Sequence, residues 1–564
     1  MRPLPDQRTR AQQSRSAIER LYISMRHLIT RGSYKPLGVS GEAMIKALME
    51  LRPEIYGSIS DPERVELDGL FYIVQRLPMG IEECRYIKFI SREGFEDSQF
   101  TPIIPSKRRR RAYRIDQEQM FIEMTRGRSD IYDILTHLTF MFVEAEKIRR
   151  NSEDSKGRKL RDWYQLEEIV RLEGEGEPFH LEVAYTYLST LLGRTYQETV
   201  AACRRFASDP EVNSIFRITY WLGRQSAEEA LEGKDREIFF SSALREQIGH
   251  HYYGEVWAGH LKSRMEQLQL LDRPIHIISA NLHSVMNTFF AAKALKNKRK
   301  GSFLELMEEL SRDDRQAWRD QVKAYALKNG MHHIADRSGT NIAVQLFDTA
   351  AIPMDALPDT LHLDTTYIRE EKPLLLVMDY AFGEQAYETM DELLRPYPGP
   401  DGPRNLRVES IAIMGKAGIL EGGKGDIMVP TAHIFEGTAD NYPFANELRA
   451  ADFHGCGFGV LEGPMITVLG TSLQNKEILS FFRHSSWRAI GLEMEGAHYQ
   501  KAIQAASRIR NSIKRNVALY YAYYASDNPL ITGHTLASGS LGLDGVKPTY
   551  LITHTILRKA LRAR

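Results

Sequence analysis

Glu493 and Glu495 flank Met494 in the stretch GLEMEGAHY, residues 491–499, where a strand-like run (Arg488 to Leu492) gives way to a helix-like one (Gly496 to Arg508). Open α/β sheets gather ligands at the carboxyl ends of their strands. A carboxylate placed there can accept hydrogen bonds from sugar hydroxyls. A structural alternative fits the same residues, since two acids in a first helical turn complement the helix dipole. Three other strand-like runs end in residues able to do chemistry. MDYAFGE sets Glu384 just past one, with Glu388 four residues on. IMGKAG sets Gly415, Lys416, Ala417 and Gly418 past the next, and YYASDNPL sets Ser526 and Asp527 past the last. Asp527 could also cap a turn, because DNP is good turn chemistry.

The elements that would position these residues are read from periodicity. From residue 373 onward strands and helices alternate, the mark of an α/β domain. PLLLVMDY is a buried strand followed by the helix GEQAYETMDELLRPY; VESIAIMG, GDIMVPTAHIF, PMITVLG and NVALYYAYYASDNP are further strands, and YLITHTILRKALRAR is a closing helix. Between 272 and 365 the signals are β-α-β without a nucleotide fingerprint. Ile275 to Ile278 precede a polar SANLHS turn, Leu304 to Lys328 are helical and highly charged, and SGTN before the strand Ile342 to Phe347 lacks the glycine spacing of a phosphate loop. Pro353, Pro358 and the polar stretch to Lys372 suggest a linker. Residues 1 to about 265 are mostly helical, as apolar positions such as Ile18, Leu21, Tyr22, Met25 and Leu28, or Ile131, Ile134, Leu135, Leu138 and Phe142, recur at three and four. The domain expectation is therefore a mainly helical domain over 1–270, an intermediate α/β segment and linker over 271–370 that could belong with the catalytic domain, and an α/β domain over 371–564.

The whole chain narrows the function classes. With 564 residues it exceeds one ordinary core. Its 74 basic and 74 acidic side chains balance, which argues against a protein built to coat nucleic acid or membrane. Hydrophobic content of 43% with 10% aromatic residues is globular. Cys84, Cys203 and Cys456 form neither a disulfide framework nor a metal cluster. The opening MRPLPDQRTRAQQSR has no apolar core and is expected not to be a secretory signal, and no apolar run is long enough to span a bilayer. A cytoplasmic protein without metal or cofactor is expected. The run KRRRR (Lys107 to Arg111) reads as a solvated loop rather than a nucleic-acid contact. In TRGRSD, Arg126 and Arg128 could hold a phosphate, but pairing with acidic neighbours such as Asp130 is the expected role.

Taken in order, the four strand-end motifs resemble the purine nucleoside phosphorylase and nucleosidase superfamily over residues 373–564. GKAGIL followed by KGDIMVPTAH is similar to that family's glycine loop and the Gly-Asp strand after it; LEMEGAHY is similar to its Met-Glu ribose motif and ASDNP to its Ser-Asp base motif. SDNPL looks most like the adenosine-monophosphate nucleosidase branch. The resemblance implies a phosphorylase-like mixed sheet flanked by helices, preceded here by the large helical region. It implies that Asp527 is the general acid at N7 of the departing purine and that Ser526 orients it. Met494 would pack on the ribose, Glu495 would accept from its 2′- and 3′-hydroxyls, and Glu493 would support the site. Glu384 falls near the water-activating carboxylate of the hydrolytic members, and the loop Gly415, Lys416, Ala417, Gly418 would approach the sugar or an anion through backbone N–H groups.

Such residues suit the chemistry, because breaking a purine N-glycosidic bond builds positive charge on the sugar and negative charge on the base. One departure bears on the nucleophile. Phosphorylases of the hexameric type carry an arginine two residues before the loop glycine; here Ile413 stands there, which favours water over phosphate. The stretch from Glu384 to Gly415 is also short, so a hairpin usual in the family is expected to be missing, and residues 272–350 could replace part of that sheet. The expected function is a purine nucleoside or nucleotide N-ribosyl hydrolase. The alternatives are a phosphate-dependent phosphorylase and a non-catalytic nucleotide sensor with a helical partner-binding module. The expected partner is a small purine nucleoside or nucleotide, with neither membrane nor nucleic acid, in a homo-oligomer.

Overall fold

A computed structural model describes residues 9–296, 301–399, 402–438, 440–531 and 541–562. The amino-terminal stretch expected to be no secretory signal therefore begins outside the described residues, at Met1–Arg8, and the closing helical run ends outside them, at 563–564. The chain divides into two compact units, one made of Met1–His250 with Ser472–Ile478 and the other of His251–Thr471 with Leu479–Arg564. Among the described residues no helix is long and apolar enough to cross a membrane.

The first unit is helical around a small sheet. Helix Arg10–Arg31 opens on a capping box, in which Thr9 and Gln12 satisfy each other's backbone N–H groups, and closes at Gly32 with φ +89°. Its buried stripe includes Ile18, Leu21, Met25 and Leu28. Helix Gly127–Asn151 buries Ile131, Ile134, Leu135, Leu138 and Phe142, so the three-and-four spacing does mark the core face. The strands are β1 (Ser33–Tyr34), β2 (Tyr86–Ile90), β3 (Ala112–Arg114), β4 (Gln119–Glu123) and β5 (Glu237–Phe240), ordered β1-β5-β2-β4-β3, with β2 parallel to both neighbours.

The KRRRR run departs from a solvated loop at two of its residues. Lys107, Arg109 and Arg111 are exposed, but the Arg110 side chain is fully buried, its Nε donating to Asp130 Oδ1 at 2.8 Å and its Nη2 to Asp133. Arg108 makes a two-pronged pair with Asp133, at 2.9 Å from each oxygen. The correction has a physical cause. Two aspartates three residues apart on the Gly127–Asn151 helix cannot be buried unless cations from elsewhere neutralise them.

The second unit is a ten-stranded mixed sheet with helices packed on it. Its strands are β6 (Ile275–Ser279), β7 (Met331–Ile334), β8 (Val344–Asp348), β9 (Leu374–Met378), β12 (Val408–Ile419), β13 (Ile427–Phe435), β14 (Asn441–Pro443), β15 (Val460–Thr467), β16 (Gly491–Glu493) and β17 (Ala518–Asp527). A separate two-stranded hairpin is formed by β10 (Tyr397–Gly399) and β11 (Gly402–Arg404). The run PLLLVM is continuously apolar because β9 is buried on both faces. Leu374, Leu376 and Met378 enter one hydrophobic layer with Ile275, Ile277, Ile411 and Ile413, while Leu375 and Val377 enter the opposite layer with Ile278, Ala412 and Met414.

Two features of the sheet build the site. First, β6, β8 and β7 lie beyond β12 in the order β12-β6-β9-β8-β7, so residues 275–348 supply three strands of the sheet, while the stretch between Glu384 and Gly415, expected to lack a hairpin, carries the separate pair β10–β11. The stretch holding Pro353 and Pro358 connects β8 to β9, two adjacent strands of this sheet. Second, β12 pairs with β17, β17 with β13, β13 with β15, β15 with β16, and β16 again with β12, so five strands close a ring. On one edge β12 is bonded to β6 only as far as Ile413 and to β16 only from Gly418. Residues 414–417 are left with an open edge between them.

Candidate functional site

The open edge of β12 forms one wall of a cavity of about 300 Å³. Other walls come from Ser279 at the end of β6, Tyr380 and Ala381 after β9, Thr471 after β15, Glu493 to Glu495 at the end of β16, and Tyr523, Tyr524 and Ser526 on β17. Strand ends converge here, the placement expected of a ligand site in an α/β sheet.

The residues Gly415, Lys416, Ala417 and Gly418 are not a loop. They continue β12 in parallel pairing with β17, as far as a register shift between Ala417 and Gly418. The glycines suggested a turn, yet β12 runs 12 residues, and β17 pairs with it from Ser410 to Gly418. What faces the cavity is a strand edge, which still offers backbone groups to a ligand. Lys416 is exposed, and among the described residues no carboxylate lies within ion-pair distance of it. Ile413 is buried on the cavity wall beside Ser279, and no arginine lines the cavity among the described residues.

The two glutamates have different surroundings. Glu493 lies in β16 and is only 5% exposed. One carboxylate oxygen accepts from the N–H groups of Glu495 and Gly496; the other accepts from the Thr467 hydroxyl and stands 3.3 Å from His433 Nδ1. Burial pushes its carboxyl up, but His433, Thr467 and the Gly496 N–H together carry it below the usual carboxylate range. Glu493 thus caps the helix Gly496–Gln504 from the preceding strand. Glu495 is the N-cap residue of that helix, half-buried at the cavity, and its Oε1 accepts from the Gly383 N–H at 2.9 Å. Met494 is half-buried on the same wall. Gly496 is required by crowding, since a Cβ there would fall 2.3 Å from the His433 ring.

Asp527 and Glu384 do not themselves line this cavity. Asp527 is 4% exposed at the end of β17, paired across from Gly418. The Ser526 hydroxyl, which does line the cavity, lies within hydrogen-bond reach of the Asp527 carboxylate and of the Ala417 carbonyl at 3.1 Å. Glu384 is the N-cap residue of helix Gln385–Leu393, next to the Gly383 whose N–H holds Glu495. Glu388 is buried within that helix.

Sequence reasoning missed Tyr380, Tyr499 and two histidines. Tyr380, Tyr499 and Tyr523 line the cavity; burial raises the phenols of Tyr499 and Tyr523, which stay neutral donors, while Tyr380 is 39% exposed. Tyr499 OH lies 3.0 Å from Ser279 Oγ. Tyr499 could have been suspected, because it follows Glu495 by one helical turn. His433 is fully buried, its ring stacked on Phe444 at 5.4 Å. His498 packs edge-on against Phe435, and burial pushes its imidazole down to about 4 against the opposing charges of Glu384 and Glu493. Among the described residues no group of three or more His, Cys, Asp and Glu side chains could hold a metal ion. A second cavity of about 800 Å³ shares Tyr380, Lys416 and Tyr524 with the first and adds His283, Arg319 and Lys323.

Fold and site together define an α/β protein with a small cavity at its strand ends, walled by tyrosines, carboxylates and one lysine. The sequence matches a family of unknown function (DUF6909) over residues 42–311 and again over 303–562, and the chain belongs to that family. No curated protein matches it significantly. Among solved structures it is similar to the futalosine hydrolase of Helicobacter pylori (13% identity, 52% of this chain and 98% of that one, TM-score 0.29). It is also similar to the 5′-methylthioadenosine/S-adenosyl homocysteine nucleosidase of Campylobacter jejuni (11%, 51% and 99%, TM-score 0.30) and to the MTA/SAH nucleosidase of Streptococcus pneumoniae (11%, 50% and 99%, TM-score 0.30). At these scores the likenesses decide nothing about activity.

Proposed function

We propose that the second unit is a purine nucleoside or nucleotide N-ribosyl hydrolase. The observation that supports this reading most is the convergence on one cavity of three motifs distant in sequence: Lys416 to Gly418, Glu493 to Glu495, and Ser526. In this reading the ribose lies on Met494 and its 2′- and 3′-hydroxyls donate to Glu495, which Gly383 orients. Glu493, held by its helix and by His433, positions Glu495 rather than touching the sugar. The purine packs among neutral tyrosine rings.

Asp527 then gives a proton to N7 as the bond from C1′ to N9 breaks and its electron pair passes to the base. Water adds to C1′ and loses its proton to Glu384. The nearby carboxylates stabilise the positive sugar of the transition state. Lys416, where the two cavities meet, would take a 5′-phosphate. Ile413 argues against phosphorolysis, because an apolar wall offers a phosphate dianion no partner.

One observation favours a second reading, a nucleotide sensor without catalysis: Glu384 and Asp527 do not line the cavity, so a ligand could be held there without meeting either. Incubation with a panel of purine nucleosides and their 5′-monophosphates, with free base read by chromatography, separates the two. The enzyme releases base from at least one class, whereas a sensor binds a nucleotide and leaves it intact.

A further inference from the structure

The first unit contains a cavity of about 440 Å³ whose charged lining is entirely basic. Arg26 and His27 reach it from helix Arg10–Arg31, Arg128 from the first turn of helix Gly127–Asn151, and Arg245 from helix Ser242–Gly249. Ile29 and Ile248 supply apolar wall, and among the described residues no aspartate or glutamate lines the cavity. Three arginines around one space give it a positive potential that favours an anion.

The surrounding structure holds this arrangement in place. Arg245 Nη1 donates to the Thr30 carbonyl at 3.0 Å, while its Nε is buried with no hydrogen-bond partner among the described residues. Gly32, with φ +89°, leaves room for that guanidinium, as a Cβ there would fall 3.2 Å from Arg245 Nη1. Arg26 lies 5.5 Å over the Tyr22 ring. Asp130, the acid of the TRGRSD stretch, accepts from Arg110 at 2.8 Å and does not line the cavity.

We propose that this cavity binds a small soluble phosphate-bearing anion, a polyphosphate or a phosphomonoester, through Arg26, Arg128 and Arg245. Guanidinium forks match phosphate oxygens two at a time. The volume exceeds what a lone phosphate fills and lies in the range of small-ligand sites. The ligand is therefore larger than orthophosphate, with room for two or more linked phosphate groups or for a phosphomonoester.

The test is isothermal titration calorimetry of the full chain with inorganic pyrophosphate and tripolyphosphate, at ionic strength matched with sodium chloride. Saturable binding is expected, weakened about tenfold or more in Arg245→Gln and in Arg128→Gln, the usual loss of one charged hydrogen bond. Arg171→Gln, whose guanidinium pairs with Glu168 and Glu175 elsewhere in the unit, should bind as the unaltered chain does. Absence of saturable heat overturns the proposal, as does equal affinity in the cavity variants and the unaltered chain. Sedimentation with phosphoinositide-containing vesicles, without binding of the soluble anions, would assign the surface to lipid headgroups and overturn it too. If circular dichroism shows that Arg245→Gln fails to fold, Arg128→Gln and the titration of the unaltered chain decide.

Discussion

Replacing Glu493 by glutamine changes little in shape and removes one charge from a buried site, so its effect can be worked from the contacts. The carboxylate receives the N–H groups of Glu495 and Gly496 and the Thr467 hydroxyl, and it faces His433 at 3.3 Å. A hydrogen bond to a charged group is worth about 1.5–3 kcal/mol, and glutamine keeps one oxygen acceptor while turning an N–H₂ group toward donors. Loss of one to two such bonds, offset by the relieved desolvation of the charge, gives about 2–4 kcal/mol of destabilisation. At about 2 °C per kcal/mol the melting transition of the second unit falls by roughly 4–8 °C.

The pH dependence checks the cause. The folded carboxyl titrates below the unfolded value of 4.5. Its stabilisation is therefore complete above that value and is lost as pH falls through the lower folded value. The gap between Glu493→Gln and the unaltered chain should be full at pH 7 and shrink below about pH 4.5 in urea unfolding followed at several pH values. Equal stability at pH 7, or a gap that does not change on acidification, would refute the account of Glu493 as a charged helix cap.

Three further outcomes follow from the site. Asp527→Asn should keep the fold, by circular dichroism, and lower turnover of purine substrates by roughly two to four decades, the usual worth of a general acid; near-normal turnover would remove Asp527 from that role. Glu495→Gln should weaken ribosides about ten- to a hundredfold while leaving free base nearly unaffected, and calorimetry that shows equal loss for both would mean the residue does not face the sugar. Lys416→Gln should raise KM for 5′-monophosphates and leave the KM for the matching nucleosides unchanged; a parallel rise would show that it meets the sugar or base instead.

Much of the second unit was legible because its strands are buried on both faces, so runs such as PLLLVM and the β-branched and aromatic β17 stand out by composition. The helix after Glu495 followed from spacing. What composition does not encode is pairing across long separations. That β6 bonds to β12 depends on register between residues more than 130 apart in the chain. The ring closed by β16 and β17 likewise depends on pairings more than 70 residues apart, and without it the GKAG stretch looks like a turn. RAIGL read as a strand because it is apolar, but the strand proper is Gly491–Glu493, with Arg488 at φ +48° before it.

The first unit was harder to read. Its strands are two to five residues long, too short for a periodic signal. Arg110 looked solvated because its partners, Asp130 and Asp133, come from a helix whose docking no local pattern reveals. Asn475, which donates to Ser14 Oγ and the Leu51 carbonyl, places Ser472–Ile478 in that unit through contacts more than 400 residues apart in sequence.

The most direct test of the account is the identity of the sugar product. Purified full-length protein is incubated with the purine substrate it cleaves fastest, with and without inorganic phosphate, and the sugar is identified by NMR. The account predicts free ribose or ribose 5-phosphate in amounts equal to the released base, at a rate that phosphate does not alter. Ribose 1-phosphate formed only when phosphate is supplied would contradict hydrolysis, and failure to release base from any purine nucleoside or nucleotide would contradict catalysis altogether.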